Sequence, residues 1–561
     1  MEKMGCQLMK KAATKEFWDT VRESDAYREV RELILAIYEE DRWEDGIPVL
    51  SYASRMRYYT DGDRSEFQAP YFRRRRYMAS TALLALIYPD NKGYVEELQE
   101  IIWAICEEYA WALPAHCAGN DTDPTVLDLF DAETGFTLAE IQHFLGDVLG
   151  ERVVSRIKME LKKRIVDPYN GSVHGWEKCG MNWAAVCAGN VGGTLMYLFP
   201  EDFEKNKSRL IDSMDNFIQF FPKDGTCLEG PGYWHYGFGN FVWFADLLYQ
   251  YTNGDIDLFE KEKISEIAGY MQRSFLKGGA IVTFSDASIG TKADKGLQCF
   301  LSKRFPEKVT PLPPESYTYY RGNLLWMQFF RSIYYLDKVQ ADATPQWRDY
   351  YLPTARQAII NRRAYSVAAK AGCNLEPHNH NDIGTFILAT ERGQVICDIG
   401  AGEYTREYFD KMRYEHFCTS SRGHNVPIIN GLYQSDGGQY NGQLRCADGV
   451  IEIDFATAYD MQQLKKLTRT ITCGEDKVVL TDTFAVPYDT FTERFVSFFK
   501  PEIAEDAVRV ADVAIRYDRE KCKAIIREEQ FKPHVGPAKT VYCIDFILEK
   551  GLSEIAFTFA V

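Results

Sequence analysis

Histidine is scarce in this chain, nine among 561 residues, and paired cysteine motifs, long apolar runs and nucleotide-binding loops are missing altogether. Each absence removes a class of function. Without a run of about 18 apolar residues, no helix is expected to span a membrane. There is no P-loop, no G-x-G-x-x-G after a strand, no G-x-S-x-G and no H-E-x-x-H, which disfavours nucleotide cofactors and triad hydrolysis. The N-terminus, MEKMGCQLMKKAATKEFW, has no apolar core of the kind an export signal needs. Fourteen cysteines lie singly from Cys6 to Cys543, and without an export signal they read as reduced, mostly buried thiols. The expected compartment is the cytoplasm, or outside the cell if a leader has been trimmed.

Positive charge is in deficit: 65 Lys+Arg against 81 Asp+Glu leave a net charge of -16. A nucleic-acid coat needs the opposite sign, whereas a polyanionic substrate is still compatible with a locally basic cleft. Hydrophobic residues make up 46% and charged residues 26%, the balance of a soluble globular protein; disorder, collagen and coiled coil are excluded. Aromatics are abundant at 14% (34 Tyr, 34 Phe, 10 Trp), which suits a sugar-lined cleft and equally a large core.

The length predicts roughly three to four domains, fewer if one is a helical ring or a broad sandwich. Helical periodicity dominates the first ~340 residues. The clearest stretch is 137–165, where Thr137 and Glu140 form a capping box ahead of Leu138, Ile141, Leu145, Val148 and Leu149. Others fall near 14–40, 71–88, 93–111, 181–198, 202–221, 234–251 and 256–275, as expected of a solenoid or closed ring of helical hairpins. Past Ala341–Pro353 the texture turns to short β-branched or alternating runs at 364–369, 384–390, 394–398, 449–457, 466–473, 477–485, 541–548 and 555–560, with a hairpin turn at Glu391-Arg-Gly-Gln394. The expected fold is α+β and multidomain: helices over 1–345, then antiparallel β over 346–561, a sandwich.

Four of the nine histidines fall between 378 and 424. His380, Asp398 and His424 make a plausible two-histidine, one-carboxylate site for a divalent cation such as zinc; the plain alternative is a hydrogen-bonded histidine cluster. In the helical half, Met181-Asn182-Trp183 opens an apolar helix. Asp224-Gly-Thr-Cys-Leu-Glu229-Gly-Pro-Gly-Tyr233-Trp-His235-Tyr236 sets Tyr233 and Tyr236 near a helix N-terminus, which favours a phenolate or an anionic ligand. A helix-entry turn with buried aromatics is the competing reading. Arg73–Arg76 reads as a solvated helix face or an anion contact, and Glu229 has no obvious carboxylate partner for glycosidase chemistry.

Taken together, Asn182-Trp183, DGTCLEGPGYWHYG at 224–237, HNHND at 378–382, CDIGAGEY at 397–404, and SRGHN with PIING at 421–431 resemble the heparinase II/III-like polysaccharide lyases. The resemblance spans most of 180–435. It implies an (α/α) toroid of helical hairpins followed by an antiparallel β-sandwich, with the site between them and β-elimination at a uronic acid as the reaction. Residue by residue, it implies that Asn182 contacts the uronate carboxylate, that Tyr233 and His378 are the acid/base pair, and that His380, Asp398 and His424 hold a metal, most simply a structural zinc. Glu229, Tyr236 and His235 support the tyrosine loop. Some relatives carry histidine after the asparagine where this chain has Trp183, leaving His235 or His174 to supply a helper.

The expected partner is therefore an anionic oligo- or polysaccharide such as heparan, hyaluronan, chondroitin or alginate, with Arg406, Arg413 and Arg422 as candidate anion readers. No nucleic acid, membrane or nucleotide cofactor is expected; an oligomer is compatible with the sequence. A uronate C5-epimerase uses the same groups, a hydrolase needs two carboxylates across the cleft, and a non-catalytic glycan-binding protein is the remaining alternative.

Overall fold

A computed structural model describes residues 8–117, 121–312, 316–319, 325–336 and 347–561. Helices fill the first part, from Lys15–Glu23 to Leu325–Tyr335, and strands the second, from Tyr350–Leu352 to Glu554–Ala560. The helices pack around Asn182–Leu198, in which nearly every residue is buried. Its Ala- and Gly-rich surface admits neighbours that a side chain would exclude. A Cβ on Gly193 would lie 2.4 Å from the Phe136 ring, and one on Gly192 2.4 Å from the Phe244 ring. The first helices meet the last, with Trp18 against Phe330 at 6.1 Å and Phe17 against Tyr334 at 6.0 Å between ring centres.

Two expectations about the helices are corrected. The stretch 137–165 is two helices, Leu129–Leu145 and Glu151–Leu161. The cap is Asp128, whose side chain accepts from the Asp131 N–H at 2.7 Å, while Thr137 sits mid-helix and donates to the Glu133 carbonyl at 2.8 Å. A Thr-x-x-Glu pattern satisfies the capping signature whether or not the helix begins there. Arg73–Arg76 is neither a solvated face nor an anion contact. Arg74 and Arg75 are buried against Glu108 at 2.8 and 2.7 Å, Arg76 pairs with Asp41 at 2.6 Å, and Arg73 donates to the Asp41 carbonyl at 2.9 Å. The run lies inside the helix Ser65–Ile87, which neighbours flank on more than one side.

Three larger antiparallel sheets make up the second part. In Lys466–Cys473 and Lys477–Ala485, buried residues alternate with more exposed ones, as in sheets with one face on a core. Gln357–Asn361, Ser366–Lys370 and Phe386–Thr390 are buried along their whole length. One face of this sheet, with Ile360, Val367, Phe386 and Leu388, joins the core shared with the other sheets. The opposite face, with Ile359, Ala368, Ile387 and Ala389, packs on Leu276, Val282 and Phe284 from the segment that follows the helices. A strand covered on both sides needs a continuous apolar run, and these have one. The hairpin expected at 391–394 is present, with Thr390 opposite Gly393. Among the described residues no helix is long and apolar enough to cross a membrane.

Glu108 is the carboxylate facing both buried guanidiniums of Arg74 and Arg75. Glu108→Ala is expected to cost about 3–5 kcal/mol, the scale for stranding buried charge, read as a lower urea midpoint; an unchanged midpoint contradicts this account of the helical core.

Candidate active site

The Tyr233 loop is shaped by residues with little freedom of choice. Gly230 has φ 97°, and a Cβ there would lie 3.1 Å from both the Ala287 Cβ and the Phe284 carbonyl oxygen, so glycine is required. Pro231 follows at a helix start, where its missing N–H costs nothing. A wide π-turn, Trp234–Phe238, precedes the regular helix Gly239–Tyr251; such turns recur at functional sites. Within it a Cβ on Gly237 would lie 3.1 Å from the Asn182 Cβ, so the absent side chain brings the first residue of Asn182–Leu198 against the tyrosine turn. The Asn182 N–H faces the Glu229 carboxylate, and its side-chain amide has no hydrogen-bond partner among the described residues.

Tyr233 stands half-buried between the two parts of the chain. Its hydroxyl lies 3.0 Å from the Tyr404 hydroxyl, and its ring stacks on the His378 imidazole with centres 4.2 Å apart. Burial, Asp286 and Glu229 raise the Tyr233 pKa above the ordinary phenol value, while the Tyr404 hydrogen bond and Arg413 oppose them.

Asp286 organises the histidines. It comes from the 276–287 segment, which threads between the tyrosine loop and Asp398. Ser285 donates to the Leu228 carbonyl at 3.0 Å, Thr283 to the Asp398 carbonyl at 2.8 Å, and the Ala401 N–H to the Ala287 carbonyl at 3.0 Å. The fully buried Asp286 side chain meets His378 Nδ1 at 2.9 Å, His380 Nε2 at 2.9 Å, the Tyr408 hydroxyl at 2.6 Å and Arg413 Nη2 at 2.9 Å. Burial alone raises a carboxyl pKa; here hydrogen bonds from His378 and His380 and the Arg413 charge outweigh it and hold Asp286 well below the usual range. The other His378 nitrogen, Nε2, lies 3.4 Å from Glu229 Oε2. That is an ion-pair separation without hydrogen-bond geometry, since this oxygen makes no hydrogen bond.

Beneath this layer, His380, Asp398 and His424 each offer a ligand atom, and the three atoms lie within 4.8 Å of one another in a buried cluster that could hold a metal ion. The donor set fits. His380 Nδ1 is buried with no hydrogen-bond partner while Asp286 fixes its other nitrogen, and His424 Nε2 donates to the Cys418 carbonyl at 2.8 Å, which leaves Nδ1 on the Asp398 side at 3.0 Å. Carboxylates and carbonyls behind the ligating imidazoles are the usual orienting partners at a metal site.

The remaining candidates are placed as follows. Tyr236 donates to Glu133 at 3.0 Å, deep in the helical part, where burial pushes the Glu133 carboxyl up to about 8. His235 is a strut: Nδ1 meets the Pro231 carbonyl at 3.1 Å and Nε2 accepts from the Asp294 N–H at 3.0 Å, and burial lowers it to about 4. His174 is stacked with Tyr169 and Trp176. Neither histidine is positioned as a proton carrier beside Tyr233. Instead His116 packs edge-on against Trp183 at 4.9 Å, with Nδ1 held by Asp128 at 2.7 Å. Of the arginines, Arg413 is committed to Asp286, Arg422 to Ser420 and the Glu415 carbonyl, and Arg406 to Glu407. Sequence reasoning missed Asp286 and Tyr408 entirely. Tyr404 ends the CDIGAGEY stretch, and its place there was the one available signal.

No family model and no curated protein matches the chain, but solved structures do. A heparinase III crystal structure superposes with a TM-score of 0.63 at 13% identity, covering 97% of this chain and 91% of that one. The chain has a heparinase-like fold. Heparan sulfate lyase HepC from Pedobacter heparinus gives 0.56 at 12% identity, with 98% and 92% covered, and the Streptomyces coelicolor chondroitin AC lyase in complex with chondroitin sulphate gives 0.58 at 9%, with 97% and 82% covered. Both the helical and the sheet portions therefore belong to the shared heparinase-like architecture.

The His380–Asp398–His424 cluster makes a stability prediction. Across a panel of divalent cations, the one that binds should raise the unfolding free energy by about 2.7 kcal/mol at a hundredfold excess over its dissociation constant. His380→Ala should abolish that increment; an equal increment in the variant places the cation elsewhere.

Proposed function

We propose that this protein is a polysaccharide lyase that cleaves uronic-acid-containing glycans, glycosaminoglycans or alginate, by β-elimination. The observation that carries this reading is the Tyr233 hydroxyl, paired with Tyr404, its ring stacked on an anchored His378, with Asn182 packed against the turn that follows Tyr233. The solved structures of similar fold include lyases for heparan sulfate, chondroitin and xanthan, which supports the reaction class. We divide the chain into an (α/α) toroid over 1–345, supported by the contact of first and last helices, and an antiparallel β-sandwich over 346–561, supported by the core its sheets share.

The C5 proton of a uronate is only weakly acidic, so the chemistry depends on stabilising the charge that develops on the carboxylate as it leaves. Asn182 serves this with a neutral donor that strengthens as negative charge grows. A base must reach C5 and an acid must protonate the departing glycosidic oxygen. Each His378 nitrogen faces a carboxylate, and the histidine presents its ring face, not an in-plane lone pair, to Tyr233. This favours Tyr233 as both base and acid on one face of the sugar, with His378 as its positioning partner. Tyr404 stabilises the Tyr233 phenolate by donating to it. His380, Asp398 and His424 would hold a divalent metal, most simply zinc, which when bound would cross-link the two histidine-bearing loops.

The test is ultraviolet absorbance of the conjugated C4–C5 double bond during incubation with a panel of uronate polysaccharides and their oligosaccharides. A rise is expected on at least one member. Tyr233→Phe should lower kcat by about 10³-fold or more, and Asn182→Ala by about 10²–10³-fold. No rise on any member, with folded and metal-loaded protein, moves the assignment to epimerisation or glycan binding; a rise unaffected by Tyr233→Phe removes Tyr233 from the chemistry.

A further inference from the structure

Arg64, at the corner between the helices Tyr52–Asp61 and Ser65–Ile87, is an arginine without a counter-charge. The carboxylates that pair with Arg413 and Arg406 have no equivalent here: Arg64 forms no ion pair among the described residues. Among the described residues the one hydrogen-bonding partner of its guanidinium is neutral, the Gln68 carboxamide oxygen, which when turned towards it accepts from Nε at 2.9 Å and Nη2 at 3.3 Å. The groups around it are aromatic. Its guanidinium lies 5.8 Å from the centre of the Phe409 ring, its charge acts on Tyr58, Tyr233 and Tyr404, and it also opposes protonation of His534, whose ring stacks on Tyr404 at 3.8 Å. Close packing fixes the corner, since a Cβ on Gly62 would touch the Arg406 Cβ at 3.4 Å. Arg64 is only partly exposed, and burial lowers its pKa.

A cation largely withdrawn from water is costly unless something pairs with it, and this one lies beside Phe409 and acts on the Tyr233–Tyr404 pair and on His534. We propose that Arg64 is a substrate-binding residue that grips a second oxyanion of the glycan, a sulfate ester on a neighbouring sugar or the carboxylate of the next uronate along the chain. The guanidinium fork matches both groups bidentately, so the site is selective for chains that carry a second anion near the first. This inference rests on the lyase reading for the identity of the glycan, but binding tests it without turnover.

The experiment is calorimetric titration of Tyr233→Phe, and of the same protein carrying Arg64→Gln or Arg64→Lys, with hyaluronan, unsulfated heparosan and heparan sulfate oligosaccharides. Thermal unfolding of each variant checks that it is folded. Arg64→Gln should weaken binding about 10–100-fold, the scale of a charged hydrogen-bonded contact, and Arg64→Lys should restore only part of it. A loss on all ligands identifies a carboxylate, and a loss confined to heparan sulfate identifies a sulfate. Equal binding with and without Arg64 overturns the proposal, as does failure of the Tyr233→Phe parent to bind any of these ligands. If the parent binds and Arg64 matters, yet the wild type forms no unsaturated product, the lyase reading falls and the Arg64 assignment stands.

Discussion

The Asp286 carboxylate leaves the helical half of the chain and ends inside the sheet half, where no solvent reaches it. A buried charge there is tolerable only if protein donors replace water, and four do so from two loops: His378 and His380 from one, Tyr408 and Arg413 from the other. Removing any one leaves the others around an under-compensated anion. The result is that the histidine stacked on Tyr233 and the histidine facing the candidate metal cluster share one anchor, and neither can move without the other. The segment bearing Asp286 is fixed in turn by the doubly covered sheet beneath Phe284 and by the Ser285 bond to the tyrosine loop. Packing, charge and site geometry are one problem in this fold.

That anchoring is also what sustains unfavourable backbone. His378 and Ser285 both adopt positive φ, 56° and 62°, conformations that cost a non-glycine residue about 1–3 kcal/mol. Both lie within the Asp286 network, where the hydrogen bonds that satisfy the carboxylate also hold the strained turns. On the helical side, close approach does the same work: Gly237 lets Asn182 sit against the tyrosine turn, and Gly230 lets that turn rest on Ala287. The interface is rigid on both faces, as a site that must hold a sugar between an amide and a phenol requires.

Much of this was legible in the residue pattern and some was not. The change from helical to alternating periodicity marks the two halves, and the apolar strands at 384–390 and 394–398 stand out because both faces of their sheet are covered. Asn182, Tyr233 and His378 are noticed because glycine-rich or histidine-rich segments surround them. Asp286 has no such signature: Phe-Ser-Asp-Ala reads as an ordinary connection, and its importance arises only when four distant donors converge. The arginine run misleads for a related reason, since four consecutive charges resemble a wet surface until Asp41, at the end of one helix, and Glu108, just past the end of another, are seen to meet them. Arg64 is invisible in sequence because what distinguishes it is the counter-charge it lacks.

The central claim is that the glycosidic bond is broken by elimination and not by water. Digestion of a uronate oligosaccharide in heavy-oxygen water, followed by mass spectrometry of both fragments, tests this directly. Elimination predicts fragments free of the heavy oxygen, with the new non-reducing end lighter by one water than a hydrolytic product. Heavy oxygen at either new end contradicts the account, and so do intact chains that have only exchanged the C5 hydrogen with solvent.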